Sequence, residues 1–205
     1  EKQIQDSLAL KEVLLKEITH RVKNNLQIIS SLIRLQKGVV KNPEALDLLS
    51  QTANRIQSMA LIHETLYKTN TFDDVLFKDY VESLIAYVKT IFNLHDISIT
   101  INVGEYILPI NNATNLGMVI MELITNSIKY AFPEKKNGKV LLQMELINGN
   151  QYKLTISDNG IGFPKELDFR KTESLGMQVV VSLVEQLEGS INLLDKEGTT
   201  FEIVV

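Results

Sequence analysis

The chain has 205 residues and a net charge of −4, with 44% hydrophobic and 22% charged residues, so composition indicates an ordinary globular protein and gives no reason to expect nucleic acid as a partner. The absence of cysteine excludes disulfides, thiolate zinc sites and cysteine nucleophiles, and it fits a reducing compartment such as the cytoplasm. No apolar run reaches the ~18–20 residues that span a bilayer, so we expect no membrane contact by this segment.

The first third of the sequence predicts a helical hairpin. Residues 1 to about 38 form one helical pattern, in which apolar residues repeat about every 3.5 positions. Because this pattern is already under way at residue 1, we expect further sequence upstream. Asn42 and Pro43 suit the N-cap and first position of a second helix, over residues 43–69. Since a hairpin with one apolar stripe on each helix cannot bury both stripes, we expect a homodimer that completes a four-helix bundle.

The polar stretch at residues 68–74 predicts a boundary, which gives two domains, residues 1–70 and 73–205. Beyond it, helices are predicted at 79–92, 111–132 and 176–187, and strands at 97–103, 106–110, 140–147, 152–157, 191–194 and 199–205. The fold class is therefore α+β, with a helical hairpin followed by a mixed sheet that carries helices on one face.

The helix predicted at Met118–Phe132 has a polar face that carries Glu122, Asn126, Lys129 and Tyr130. Offsets of four, seven and eight residues place these side chains on one side of a helix. Carboxylate and amide oxygens suit Mg²⁺, and a lysine neutralises phosphate. The same spacing is also typical of a solvated surface helix, so the pattern needs support from elsewhere in the chain.

Three glycine-bearing patterns follow this helix. Asp158 ends a predicted strand and can accept a hydrogen bond from an exocyclic amine, while Gly160 and Gly162 permit close approach of a ligand. Residues 174–177 (SLGM) precede a helix whose free N–H groups suit phosphate. Residues 198–201 (GTTF) enter the last strand. Each pattern by itself also suits an ordinary loop or turn.

In this order, the four patterns resemble the ATP-binding domain shared by histidine kinases, gyrase-type topoisomerases, Hsp90-type chaperones and MutL-type repair proteins. The resemblance covers residues 73–205 and implies a Bergerat-type (GHKL) α/β sandwich that binds ATP and Mg²⁺. By this resemblance Asn126 ligates Mg²⁺, Glu122 supports the metal or its water, and Lys129 contacts phosphate. Gly176 and Met177 close over the phosphates.

The same resemblance implies an adenine site. Tyr130 is expected near the adenine and ribose, and Asp158 is expected to bind the adenine amine. Gly160 and Gly162 shape the pocket, and Thr200 backs the adenine directly or through water.

Residues 163–175 become, by the same resemblance, a short mobile lid. Arg170 and Lys171 are its available phosphate-seeking cations. Solvated loop charge explains these two residues equally well.

On the first helix, His20 lies about 160° from the centre of the apolar stripe, so it is predicted to face solvent. Residues 17–27 (EITHRVKNNLQ) resemble the HRxKNNLQ phosphorylation box of HisKA-2-like histidine kinases, which is close to that of the HWE group, although the tryptophan of that group is missing. The resemblance implies that His20 accepts a phosphoryl group and passes it to an aspartate of a response regulator receiver domain.

The neighbours of His20 depart from the commoner histidine kinases, in which an acidic residue follows the histidine. Arg21 stands there instead. Glu17, about 60° round the helix, is a candidate for orienting His20, whereas Arg21 and Lys23 could neutralise the incoming phosphate. By the resemblance, Asn24 could position a water that dephosphorylates the partner.

Two alternatives to a sensor histidine kinase remain. One is an ATPase or protein-serine kinase of the GHKL superfamily, such as an anti-sigma kinase, and the outward His20 speaks against it. The other is a dimeric signalling scaffold that binds nucleotide without turnover, and the intact Glu122, Asn126 and Asp158 speak against that.

Overall fold

A computed structural model of the chain describes residues 2–69, 74–134, 137–172 and 174–205, with side chains described in these ranges except at 2–13, 15, 16, 19 and 65–69. The chain divides into two compact units, Glu1–Leu76 with Ile107–Thr114, and Phe77–Tyr106 with Asn115–Val205. Residues 70–73 of the predicted boundary and 135–136 of a predicted loop lie outside the described residues, and the domain limits of 1–70 and 73–205 stay a prediction.

Two helices, α1 (Lys2–Val39) and α2 (Pro43–Thr69), form the predicted hairpin. Asn42 is the N-cap of α2, because its Oδ1 accepts hydrogen bonds from the backbone N–H of Glu44 (2.8 Å) and of Ala45 (3.2 Å). An ion pair between Lys23 of α1 and Glu64 of α2 (3.5 Å) crosses the hairpin. The short break and the cap therefore fix where α2 begins.

The apolar stripe of the hairpin is only partly buried within the chain. Ile33, Ala60 and Ile62 are buried, whereas other apolar side chains stay exposed: Leu14, Ile18, Ile28, Ile29, Leu32, Leu35, Val39 and Leu48. We call these eight residues the exposed stripe. Large exposed apolar patches often mark interaction sites, and the four-helix bundle stays a prediction.

A two-stranded antiparallel sheet joins β1 (Asp74–Leu76) to β3 (Ile107–Pro109). Val75 pairs with Leu108, and both are buried. The sequence predicts β3 but not β1, because three residues are too few to display a strand period.

The second unit is built on a five-stranded sheet with the order β2-β4-β5-β7-β6. Its strands are β2 (Ile97–Val103), β4 (Gly138–Ile147), β5 (Gln151–Asp158), β6 (Ser190–Leu194) and β7 (Thr200–Val204). β2 and β4 run parallel and the other neighbours antiparallel, so the sheet is mixed, as predicted.

One face of this sheet is buried by helices. Leu142, Ile156 and Phe201 pair across three strands and are all buried, and alternation along each strand repeats this pattern. The helices are α3 (Phe77–Phe92), α4 (Ile110–Asn126) and α5 (Leu175–Gln186). The predicted α+β architecture with helices on one face is confirmed.

Two local features differ from the predictions. The helix predicted to run to Phe132 changes at Asn126 into a π-helical turn, Ser127–Ala131. At the end of α5, Glu188 adopts the left-handed conformation (φ 55°), although a glycine, which favours this conformation, stands next to it as Gly189. Gly189 is needed for another reason, since a Cβ there would press on the carbonyl oxygen of Val204.

Candidate active site

A cavity of about 330 Å³ opens beside α4 in the second unit, in the size range of small-molecule sites. Five of the residues predicted for the ATP site line it, namely Asn126, Tyr130, Asp158, Gly162 and Met177. The remaining predicted residues are not among its lining, namely Glu122, Lys129, Gly160, Gly176 and Thr200.

Asp158 lies at the end of β5 and is buried against three donors. Its Oδ2 accepts a hydrogen bond from Ser127 Oγ (2.8 Å), and its Oδ1 accepts from the backbone N–H groups of Gly160 (3.0 Å) and Thr199 (3.1 Å). An ionised carboxylate has about four acceptor positions. The carboxylate is therefore fixed in place and keeps an acceptor position for a ligand.

Two residues that line this cavity are not among those that the sequence predicts for the ATP site, namely Ser127 and Thr199. Thr199 lines the cavity, whereas its neighbour Thr200 is buried in β7, paired with Ser157 and Leu194. The side chains of successive residues in an extended chain point to opposite faces of the sheet. Thr199 and Thr200 therefore lie on different faces, and only Thr199 can face the cavity. The lining favours Thr199 over Thr200 as the threonine that backs a ligand.

The glycine loop after β5 packs tightly against the π-helical turn. The Ile161 N–H donates to the carbonyl oxygen of Ala131 (3.0 Å), and a Cβ at Gly160 would collide with that oxygen. Gly162 has a φ of 84°, which glycine adopts without strain. Both glycines therefore shape the wall of the cavity, although only Gly162 lines it.

Glu122 and Asn126 lie one turn apart on α4 and face the start of α5. Glu122 is buried so close to Gly176 that a Cβ on that glycine would lie 2.7 Å from Oε2 of the glutamate. The Asn126 amide donates to the sulfur of Met177 (3.6 Å). No group of three or more His, Cys, Asp or Glu side chains that could hold a metal occurs among the described residues. One carboxylate and one amide nevertheless fit Mg²⁺, which binds through one or two protein oxygens and otherwise through phosphate and water.

Lys129 lies outside the cavity. It lines a second space of about 510 Å³ together with Asn93, His95 and Asp96. A π-helical turn holds more residues per turn than an α-helix, so Lys129 lies farther round the axis from Asn126 than α-helical spacing predicts. The structure therefore does not bring this lysine together with the other predicted phosphate ligands.

The lid residues Arg170 and Lys171 do not line the cavity either. Arg170 Nη2 donates to the carbonyl oxygen of Ile191 in β6 (2.7 Å), and the guanidinium lies 4.7 Å from the centre of the Phe169 ring. Lys171 is exposed and pairs with Asp168 at 3.8 Å. Arg170 therefore has a structural contact with β6 that neither interpretation of these cations included, whereas Lys171 fits the interpretation as a solvated loop charge.

In the first unit, His20 is exposed on α1, as its helical phase predicts. Its Nδ1 lies 3.3 Å from the amide nitrogen of Asn24, one turn later. Glu17 instead accepts a hydrogen bond from Arg21 Nε (2.7 Å). The structure therefore places Asn24 rather than Glu17 against the imidazole.

A mixed sheet with helices on one face and a cavity beside one of these helices is typical of one class of ATP-binding domain. The family model described as histidine kinase-, DNA gyrase B- and HSP90-like ATPase matches residues 111–205. A second model, described as histidine kinase of the HisKA-2 type, matches residues 17–92. Because the two models together take in most of the chain, it belongs to the histidine kinase family.

Curated relatives agree with this family. The chain is 32% identical over 203 residues to the sensor histidine kinase PdtaS of Mycobacterium tuberculosis, which covers 97% of this chain and 40% of that kinase. It is 26% identical over 181 residues to the blue-light-activated histidine kinase 2 of Erythrobacter litoralis, which covers 87% of this chain and 52% of the relative. The chain therefore spans about half or less of the length of these relatives.

Solved structures share the fold. The histidine kinase domain of the EL346 blue-light activated histidine kinase from Erythrobacter litoralis matches with a TM-score of 0.71 at 25% identity, over 95% of this chain and 93% of that one. The Acinetobacter baumannii histidine kinase AdeS matches with a TM-score of 0.57 at 20% identity, over 89% and 95%. Among the residues that the structure describes, no helix combines the length and apolar character of a membrane span.

Proposed function

We propose that the chain is the catalytic core of a two-component sensor kinase with a cytoplasmic location. It uses Mg²⁺ and ATP to phosphorylate its own His20, and His20 then passes the phosphoryl group to an aspartate of a response regulator receiver domain. The observation that carries this proposal is the exposed imidazole of His20, on a helix that the histidine kinase model covers. An exposed imidazole is open to a docking receiver domain without any unfolding of α1.

Three features support ATP binding in the cavity of the second unit. The remaining acceptor position of Asp158 suits the adenine amine. Asn126 and Glu122 would hold Mg²⁺, which when bound neutralises charge on the phosphates. Ser174, the N-cap residue of α5, lines the cavity with no side-chain cap bond, next to the free N–H groups that suit phosphate.

The contact with Asn24 holds the imidazole of His20 in one orientation and one tautomer before the reaction. A neutral imidazole reacts through one ring nitrogen while the other carries the proton. The Asn24 amide nitrogen donates to Nδ1, so the proton of the neutral ring lies on Nε2. Nε2 attacks the γ-phosphorus once this proton has moved, through solvent, to Nδ1 in place of the Asn24 bond, and the bond to the bridging oxygen breaks as ADP leaves. Glu17 as an orienting group, and Asn24 as a group that positions water for dephosphorylation of the partner, stay part of this proposal.

The proposal assigns residues 1–70 to dimerisation and phosphotransfer and residues 73–205 to catalysis. The exposed stripe on the hairpin supports a homodimer, because its apolar side chains suit burial against a second copy. The net charge of −4 supports neither nucleic acid nor an anionic membrane as a partner.

Incubation with γ-labelled ATP tests this function. We expect wild type to incorporate label that is lost in acid, because phosphohistidine is acid-labile, and we expect His20→Gln to incorporate none. His95→Gln is the matched control, since it removes an exposed imidazole elsewhere, and it should label like wild type.

Two results would overturn the proposal. Acid-stable label that survives in His20→Gln would favour a protein-serine kinase of the same superfamily. Nucleotide binding without any label in wild type, under conditions in which a known histidine kinase labels, would favour the signalling scaffold.

A further inference from the structure

We propose that the hydroxyl of Thr172, in the lid, is a nucleotide-binding group that hydrogen-bonds an oxygen of the sugar–phosphate part of the ligand. This inference rests on the proposed ATP binding and adds a residue that no pattern in the sequence indicates. The four glycine and asparagine patterns do not include Thr172, and the cations predicted for the lid lie elsewhere.

The first observation is an unsatisfied polar atom in the wall of the cavity. Thr172 is one of the lining residues, and its Oγ1 is buried with no hydrogen-bond partner among the residues that the structure describes. Most buried hydroxyls in folded proteins are paired, because a buried hydroxyl loses its hydrogen bonds to water. A rotation of the Thr172 side chain would turn this hydroxyl into the adjoining cavity, where a ligand can satisfy it.

The second observation is that the backbone of Thr172 itself and of the residues before it is held in place. On the α5 side, Gln178 Nε2 donates to the carbonyl oxygen of Thr172 itself (3.2 Å). On the other side, Phe169 is buried with its ring edge-on to Phe201, at 5.4 Å between centroids. Arg170, which follows Phe169, is held by its hydrogen bond to the carbonyl oxygen of Ile191. The backbone that carries the hydroxyl is thus positioned before a ligand binds, so only the side chain has to reorient.

The chemistry of the cavity indicates which part of the nucleotide meets Thr172. Asp158 provides the acceptor for the adenine amine, and its position is fixed at the end of β5. Thr172 lies three residues before α5 begins, on the lid side that also carries Ser174. A hydroxyl both donates and accepts, so it suits phosphate and ribose oxygens, which adenine lacks.

Calorimetric titration of the full chain with ADP and Mg²⁺ tests the proposal through two variants. Thr172→Val keeps the shape of the side chain and removes the hydroxyl, so ADP affinity should fall by about 3- to 10-fold. Thr172→Ser keeps the hydroxyl and should bind within about twofold of wild type. The melting temperature of ligand-free Thr172→Val should equal or exceed that of wild type, because the lost hydroxyl had no partner to lose.

Several outcomes would overturn the inference. Equal ADP affinity in wild type and Thr172→Val would show that the hydroxyl does not bind the nucleotide. A lower melting temperature of the ligand-free valine variant would assign the hydroxyl a structural role. Asp158→Asn separates this failure from failure of the proposed function: if wild type binds ADP and Asp158→Asn does not, the ATP site stands whatever Thr172 does. If wild type binds no ADP, both proposals fall.

Discussion

At the scale of single residues, the orientation of the Asp158 carboxylate depends on Ser127, a residue that is not part of the polar face predicted for the helix. Ser127 follows Asn126 directly, yet its hydroxyl donates to Asp158 Oδ2 at 2.8 Å within a buried pair. The serine fills one acceptor position of the carboxylate and, with the N–H groups of Gly160 and Thr199, leaves one position for a ligand in the cavity. Ser127 is therefore a positioning residue for the adenine contact that we propose for Asp158.

Replacement of Ser127 by alanine should lower ADP affinity by about 3- to 10-fold, because one hydrogen bond that orients Asp158 is lost. The measurement is calorimetric titration with ADP and Mg²⁺. Ser157→Ala is a matched control, since Ser157 adjoins Asp158 on the strand but points to the other side of the sheet. Equal losses in both variants would show that the effect is a general weakening of the strand.

His63 on α2 gives a second prediction at this scale. Burial lowers the pKa of His63 from its ordinary value of 6.5, and its Nδ1 is buried with no partner among the described residues. The unfolded chain therefore binds a proton more readily than the folded one. The stabilising contribution of neutral His63 is full above pH 6.5 and is lost as the pH falls below it.

Urea denaturation at pH 7.5 and pH 5.5 checks this sign. The free energy of unfolding of wild type should fall more between pH 7.5 and pH 5.5 than that of His63→Gln, because the variant has no titratable side chain at position 63. His95→Gln is the control for loss of an exposed imidazole elsewhere in the chain. An equal pH dependence in wild type and His63→Gln would contradict the prediction.

At the scale of elements, the sequence predicts most helices and strands because their signals are local. The Asn42 cap and Pro43 determine the start of α2, and the alternation of residues 97–103 determines β2. The π-helical turn at Ser127–Ala131 has no comparable local signal, since its bonds differ from those of an α-helix by one residue. The sequence accordingly predicts Asn126 and Asp158 at the cavity and misplaces Lys129, whose position depends on that turn.

The lid is the second element whose behaviour depends on tertiary contacts. Its sequence has no helical or strand period, but Phe169 inserts into the core against Phe201 and Arg170 bonds to β6. These contacts divide the lid into an anchored part, residues 168–172, and flanking parts. Local patterns cannot predict such an anchor, because the partners lie more than 20 residues away.

Phe169→Leu should loosen the lid without emptying the core. Leucine keeps apolar burial but loses the edge-on aromatic contact, which is worth about 0.5–1.5 kcal/mol. We expect faster hydrogen exchange at residues 168–172 and ADP affinity lowered by about 2- to 10-fold. Lys171→Ala changes an exposed residue of the same segment and should leave both measurements unchanged. Unchanged exchange in Phe169→Leu would show that the anchor lies elsewhere.

At the scale of the whole molecule, the exposed stripe is the feature that a single copy of the chain leaves unexplained. Leu35 is 71% exposed and Val39 78% exposed, on a helix that buries Ile33. Burial of such side chains contributes about 1.5–3 kcal/mol each. Association of two copies through the hairpin would recover this free energy, in keeping with the proposed homodimer.

Light scattering on the chain at tens of micromolar tests this association. Wild type should have the mass of a dimer, and the double variant Leu32→Glu, Leu35→Glu should have the mass of a monomer, because carboxylates in the interface weaken dimerisation by at least about 100-fold. Gln36→Glu adds a charge on an exposed neighbouring position and should stay dimeric. ADP binding should persist in the double variant, since the substitutions lie outside the second unit. A monomeric wild type would contradict the homodimer.

Whether the hydrogen-bond donors to Asp158 belong to the main chain or to side chains also matters for drug resistance. Two of the three are main-chain N–H groups, which no substitution other than proline deletes. Point mutations in the surrounding side chains therefore leave most of this anchor intact. If Asp158 binds the adenine amine as we propose, an inhibitor whose amine imitates that of adenine would face few resistance mutations, and most of them would also impair the recognition of ATP.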